Sequence, residues 1–180
     1  MVAIPSYNQP YVQDLLFGGY GLYYVSSEDL LKDPTNPPQL LDNLNFFPDV
    51  DSSSSSNSKP TLKKLVAVHP SLKSGLPSSG QLVSVFAMST DGRVCLVRLE
   101  MVDIVQSKSA QVVQVCGKGV AVDINAFRPM DDGSTGGQGG VVISDDDKEM
   151  VFILDQLGNV SVWEEDVISK TWSMGEVLWA

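Results

Sequence analysis

Asp155-Gln-Leu-Gly-Asn-Val-Ser-Val-Trp163-Glu-Glu-Asp166 carries the pattern of a tight turn opening a strand. Gly158 and Asn159 supply the turn, because both tolerate the left-handed backbone that a reversal needs. Val160 and Val162 then alternate with Ser161 and Trp163 in the period of two of an extended chain. Thr90-Asp91-Gly92-Arg-Val94-Cys-Leu96-Val-Arg98-Leu99-Glu100 repeats the phrase, with Asp91 and Gly92 expected at the two central turn positions. A fainter third copy is Gly18-Gly19-Tyr20-Gly21-Leu22-Tyr-Tyr24-Val25. Three hairpins and almost no helical periodicity point to an all-β chain.

Working outward, Leu65-Val-Ala-Val-His69-Pro70 reads as a strand stopped by proline, and Leu82 to Met88 as the strand before the Asp91-Gly92 turn. Val94 to Leu99 is the returning strand. Val102 to Gln106 and Ala110 to Val115 read as two more. The rhythm restarts at Val120 to Phe127, closed by Pro129, and continues through Val141 to Ser144 and Met150 to Leu154. Trp172 to Trp179 reads as a further strand interrupted by the chain end, which favours a piece of a longer polypeptide.

The organisation falls into three parts. Residues 1–25 hold an N-terminal hairpin or first partial blade. Residues 26–60 read as a long connection, with a helical turn at Ser27 to Lys32 stopped by Pro34, Pro37 and Pro38. Gln39 to Phe47 is expected to be a short docking helix, and Asp49 to Pro60 an acidic, serine-rich linker. Residues 61–180 hold two repeats and the start of a further strand.

The repeat is legible in spacing. Val66-Ala-Val-His-Pro70 lies 59 residues before Asn125-Ala-Phe-Arg-Pro129, Gly92 lies 66 before Gly158, and Gly21 lies 71 before Gly92. Residues 62–166 resemble degenerate WD repeats. That resemblance implies that Pro70 and Pro129 end inner strands, that Asp91, Gly92 and Gly158 make hairpins, and that Trp163 packs between the blades of a β-propeller. No Gly-His pair precedes either repeat, Leu99 and Glu100 stand where Trp-Asp is usual, and the periods exceed the usual ~40 to 45 residues. A propeller ring takes about 4 to 8 blades. The resemblance therefore implies completion by the rest of a longer chain or by a partner, whereas a single β-barrel or sandwich is the alternative fold.

Composition narrows the function. The net charge is −10, and the 12 Lys and Arg form no run, which argues against direct nucleic-acid binding. The apolar runs are far short of the roughly 20 residues of a membrane-spanning helix, and the start has no charged-then-apolar leader pattern, so an intracellular protein, nuclear or cytoplasmic, is expected. Cys95 and Cys116 read as buried thiols.

No catalytic, cofactor or metal site is expected. His69 is the sole histidine, and general-base or metal chemistry needs convergent partners. Asp131-Asp132-Gly133 and Asp145-Asp146-Asp147 lack the alternating spacing of a calcium loop. Gly136 to Gly140 lacks the Gly-Lys-Ser/Thr of a phosphate loop. Asn159-Val-Ser161 fits a glycosylation sequon but reads as a turn. The expected role is a non-catalytic scaffold subunit of a eukaryotic multi-protein complex. Tyr20, Tyr23, Phe46 and Phe47 are candidate partner contacts, since aromatic side chains anchor interfaces. A standalone small-ligand or glycan-binding module is the alternative.

Overall fold

The computed structural model describes residues 1–6, 12–41, 46, 60–68, 82–100, 104, 112–115, 120–127, 150–166 and 171–179. Among them, strands β1 (Val2–Pro5), β2 (Gln13–Gly18) and β3 (Leu22–Val25) precede helix α1 (Ser27–Lys32) and β4 (Gln39–Leu40). Then come β5 (Leu62–Val68), β6 (Leu82–Ser89), β7 (Val94–Glu100) and β8 (Val112–Val115). β9 (Ala121–Phe127), β10 (Met150–Asp155), β11 (Asn159–Asp166) and β12 (Thr171–Trp179) complete the described strands. They form three antiparallel sheets of four strands, each a meander in chain order. The chain is all-β, but its described strands close neither a single barrel nor a two-layer sandwich.

The three turns read from the sequence occupy one place in the three sheets. Each joins the second strand to the third, and the pairs that close them are Gly18↔Leu22, Met88↔Val94 and Leu154↔Val160. Because strand side chains alternate, these pairs define equivalent faces. In the first sheet the Gly18↔Leu22 face, with Ile4 and Leu16, packs on Leu65, Val83, Val85, Ala87, Cys95, Val97 and Leu99 of the second. The opposite face of the second sheet, with Val66, Val68, Phe86, Met88, Val94 and Leu96, packs on Ala121, Ile124, Val151 and Ile153 of the third. The middle sheet is thus buried on both sides. This is why Leu82 to Met88 is almost continuously apolar, a pattern that strands covered on both faces require.

The repeat extends to the backbone. Leu62 N donates to Gly19 O at 2.7 Å, and Ala121 N donates to Gly92 O at 2.8 Å, so each new sheet starts on the central hairpin of the sheet before it. Within sheets, Thr90 N donates to Thr61 O at 2.8 Å and Gln156 N to Val120 O at 3.0 Å. Thr61 and Val120 are 59 residues apart, as are Leu62 and Ala121. Backbones of adjacent sheets come closest at the first strands, where β5 lies against β1 and β2 on one side and β9 on the other.

Several expectations change. The turn glycines are not central turn residues: Gly92 N donates to Ser89 O and Gly158 N to Asp155 O, both at 3.1 Å, so each glycine is the fourth residue of its turn. Their φ values of 82° and 86° are the left-handed backbone that follows such a turn in a bulged hairpin. Local side chains select this geometry. Asp155 Oδ1 accepts from Leu157 N and Asn159 N, and Ser89 Oγ accepts from Arg93 N at 3.0 Å.

Gln39 and Leu40 form a strand rather than a helix, pairing with Tyr24 and Tyr23. Pro37 and Pro38 hold the preceding backbone extended, and the edge of β3 supplies the partners that a short helix lacks. β4 and α1 therefore both lie inside the stretch read as a connection. Ile104 sits in a turn, not a strand, while the remainder of Val102 to Gln106 and the strand at Val141 to Ser144 lie outside the described residues. β1 escaped notice because Pro5 discourages a strand assignment. As an edge strand it tolerates the missing N–H. Met150 to Leu154 pairs on both sides, so it is a regular strand.

Trp163 packs half-buried against the cluster between the second and third sheets. Its Nε1 is buried and has no hydrogen-bond partner among the described residues. An unsatisfied buried donor costs about 1–3 kcal/mol. Trp163→Phe, which keeps most of the ring and removes the donor, is therefore expected to leave the melting temperature unchanged or raise it. A drop of several degrees would mean that the indole N–H has a partner in solution.

Candidate interaction surface

The central hairpins and the starts of β5 and β9 share one rim of the stack, held together by the repeated backbone bonds described above. On this rim the hairpin tips present Tyr20, 77% exposed, and Leu157, 76% exposed. Between them, in the second sheet, stands Asp91 with Arg93. Val120 and Val122, at the start of β9, are also exposed. Large apolar side chains held out on tight turns are open to a partner, although single exposed apolar residues are ordinary on protein surfaces.

The polar groups of the rim are locally satisfied. Asp91 Oδ2 accepts from Arg93 Nε at 2.8 Å and pairs with Nη2 at 2.6 Å, and its Oδ1 accepts from Ser89 Oγ. Burial pushes the Asp91 carboxyl up, but the hydrogen bonds from Arg93 and Ser89 outweigh it and hold the group below the usual carboxylate range. Asp155 is likewise held down, first by the Asn159 side chain and then by backbone N–H groups of its own turn. Lys64 and Asp123, equivalent positions on neighbouring first strands, form an ion pair at 2.6 Å. These charges brace the turns and the sheet stack. They do not converge on one point, and among the described residues no group of three or more metal-ligating side chains is present.

The predicted contact residues separate. Tyr20 is on the rim. Tyr23 is half-buried on the face of the first sheet that points away from the second, opposite Phe17 and Leu40. Phe46 is 5% exposed and belongs to the core between the first and second sheets, where its carbonyl accepts from Cys95 Sγ at 3.6 Å. It is a packing residue and not a surface contact, because the stack encloses it. Phe47, Pro70 and Pro129 lie outside the described residues, as do His69, Cys116 and the aspartates at 131, 132 and 145–147. Leu157, Val120 and Leu40 were missed. Leu157 alone left a trace in the sequence, as an apolar residue placed inside a turn.

A cleft of about 390 Å³ lies beside α1, lined by Tyr24, Ser26, Asp29, Asn36, Pro37 and Gln39 among others. Tyr24 OH donates to Asp14 Oδ2 at 2.8 Å, and Ser27 N donates to Asp14 Oδ1 at 2.8 Å, which satisfies a carboxylate only 2% exposed. Burial, followed by the bond to Asp14 and its negative charge, drives the Tyr24 phenol well above its ordinary value. The folded state therefore keeps this proton where the unfolded chain releases it. The contribution is complete below roughly pH 10 and is lost as pH rises beyond that value. Tyr24→Phe is expected to cost about 1–2 kcal/mol at neutral pH and to flatten the alkaline fall of the melting temperature. An unchanged alkaline limb would show that Tyr24 does not carry it.

No family model, no curated protein and no solved structure matches this chain.

Proposed function

We propose that the three sheets are consecutive blades of a WD-repeat-like β-propeller acting as a non-catalytic scaffold in a eukaryotic multi-protein assembly, nuclear or cytoplasmic. The observation that carries this reading is the repetition itself. Three four-stranded meanders stack in one sense, and each starts on the central hairpin of the one before through the same backbone bond. Propellers are built by radial repetition of such sheets. The position of Trp163 between sheets and the gathering of first strands support the same reading. Partners are other protein subunits, engaged through the rim that carries Tyr20 and Leu157. Further blades come from the rest of a longer chain or from another chain.

The test is affinity purification of the chain from eukaryotic cells with quantitative comparison of what co-purifies. Tyr20→Ala with Leu157→Ala is expected to deplete a defined set of proteins at least about ten-fold, as loss of interface anchors does, without lowering the melting temperature. Unchanged co-purification would sink the rim as the binding surface. The alternative ligand-binding module has the cleft beside α1 in its favour, but its wall from Asp33 to Leu40 is solvent-exposed.

A further inference from the structure

The cleft beside α1 carries acceptors that the fold does not use. Asp29, Asn36 and Gln39 line it, and none of their side chains has a hydrogen bond or ion pair among the described residues. Asp29 lies close enough to Tyr24 that its charge helps to hold the phenol proton in place. The neighbouring donors are already committed. The Tyr24 hydroxyl and Ser27 N both donate to Asp14, and Glu28 N donates to Ser26 Oγ at 3.2 Å. No lysine or arginine lines the cleft, and Lys32 on the same helix is paired with Glu28 at 2.5 Å. An anion would meet a like charge, with only the two amides to bind it. A cation that donates several hydrogen bonds fits.

The rest of the lining, Val25, Pro37 and Pro38, is apolar. It suits the flat, weakly hydrated guanidinium better than an ammonium, which holds its water tightly. Every residue from Leu31 to Leu40 is exposed, so the cleft does not enclose a free small molecule as ligand pockets do. One side chain reaching in from a larger surface needs no such enclosure. We propose that this cleft receives an arginine side chain of a partner protein, with Asp29 pairing its guanidinium. Carboxylates take guanidinium groups through parallel N–H donors, and the amide oxygens of Asn36 and Gln39 accept from the N–H groups that remain. The cleft lies at the opposite end of β3 from the Tyr20 hairpin and does not depend on the number of blades.

The experiment is a titration of the isotope-labelled 180-residue chain, followed through its backbone amide signals. The probe is a tripeptide of serine, arginine and serine, capped at both ends. Saturable shifts are expected at Tyr24, Ser26, Asn36 and Gln39, with a Kd on the order of 1 mM. Replacing the arginine by citrulline keeps its shape and removes its charge. That change, or Asp29→Asn in the chain, is expected to weaken binding about three- to ten-fold. The lysine tripeptide is expected to bind more weakly than the arginine one. Asp29 is exposed, and a dispersed spectrum reports that its variant folds. Should it not fold, Asn36→Lys, in an exposed segment outside any helix or strand, places a competing cation in the cleft. The same loss is then expected.

Shifts that do not saturate overturn the proposal, as do shifts elsewhere on a chain of net charge −10 that neither variant moves. Equal binding of the citrulline or lysine peptide means that the guanidinium is not what is recognised, and overturns it too. Tighter binding of free arginine than of the capped peptide assigns the cleft to an amino acid and not to a partner protein, which also overturns it. Tyr20→Ala with Leu157→Ala is expected to leave these shifts in place. Loss of rim-dependent partners and loss of arginine binding are therefore separate results.

Discussion

Gly92→Ala is expected to lower the melting temperature by several degrees more than Gly158→Ala, although both residues close equivalent turns with nearly equal φ, 82° and 86°. Left-handed backbone costs a non-glycine residue about 1–2 kcal/mol, and that cost is common to both sites. At Gly158 an added Cβ meets nothing within 4 Å. At Gly92 it collides with Val120 Cγ1 and falls 2.8 Å from Ala121 O. The hairpin must therefore withdraw from β9, which strains the bond from Ala121 N to Gly92 O that joins the second sheet to the third. Overpacking of this kind adds about 1–3 kcal/mol, and each kcal/mol moves the midpoint of a chain this size by roughly 2–4 °C.

The double variant separates strain from crowding. Val120 is 44% exposed, so Val120→Ala alone costs little, and combined with Gly92→Ala it should recover part of the excess loss. Equal midpoints for Gly92→Ala and Gly158→Ala would mean that the second hairpin does not touch β9 in solution, and the sheet stack would be wrong there.

Val85→Asp is expected to abolish cooperative unfolding altogether, while Leu15→Asp leaves a folded chain. The two positions are equivalent, Val85 pairing with Val97 and Leu15 with Val25 at the same distance from their hairpins. Their surroundings differ. Val85 is fully buried between the first and second sheets, whereas Leu15 lies half-buried on the outward face of the first. An unpaired carboxylate in a dry core costs several kcal/mol, comparable with the roughly 5–15 kcal/mol that holds a whole domain together. On the outward face water remains within reach, and the loss is expected to stay below about 2 kcal/mol. Thermal melts followed by far-ultraviolet circular dichroism decide it. Similar behaviour of the two variants would contradict the order of the layers.

The hairpins were legible because turn chemistry is local. Gly92 and Gly158 stand where left-handed backbone is needed, and their neighbours Ser89 and Asp155 satisfy it within five residues. The face-alternating strands around them followed from side-chain period alone. Leu82 to Met88 read only as a strand, and the two-sided burial that explains its lack of polar alternation came from the sheets packed on it. Nothing comparable marks β4. Gln39 and Leu40 become a strand only because β3 offers an edge, and no local pattern reports a neighbour supplied by tertiary structure. The role of Phe46 stayed open between core packing and partner contact for the same reason, since an aromatic in a connecting stretch looks alike whether it faces solvent or is enclosed.

The sequence by itself determined an all-β chain of repeated hairpins and the positions of those hairpins. Those properties depend on residue type and short spacing. Only the tertiary structure decided that the sheets stack in one sense, that each starts on the hairpin before it, and that Tyr20 and Leu157 share a rim while Phe46 does not. Stacking is set by which of two apolar faces meets which, and both faces of the middle sheet read as equally hydrophobic until their partners are in place.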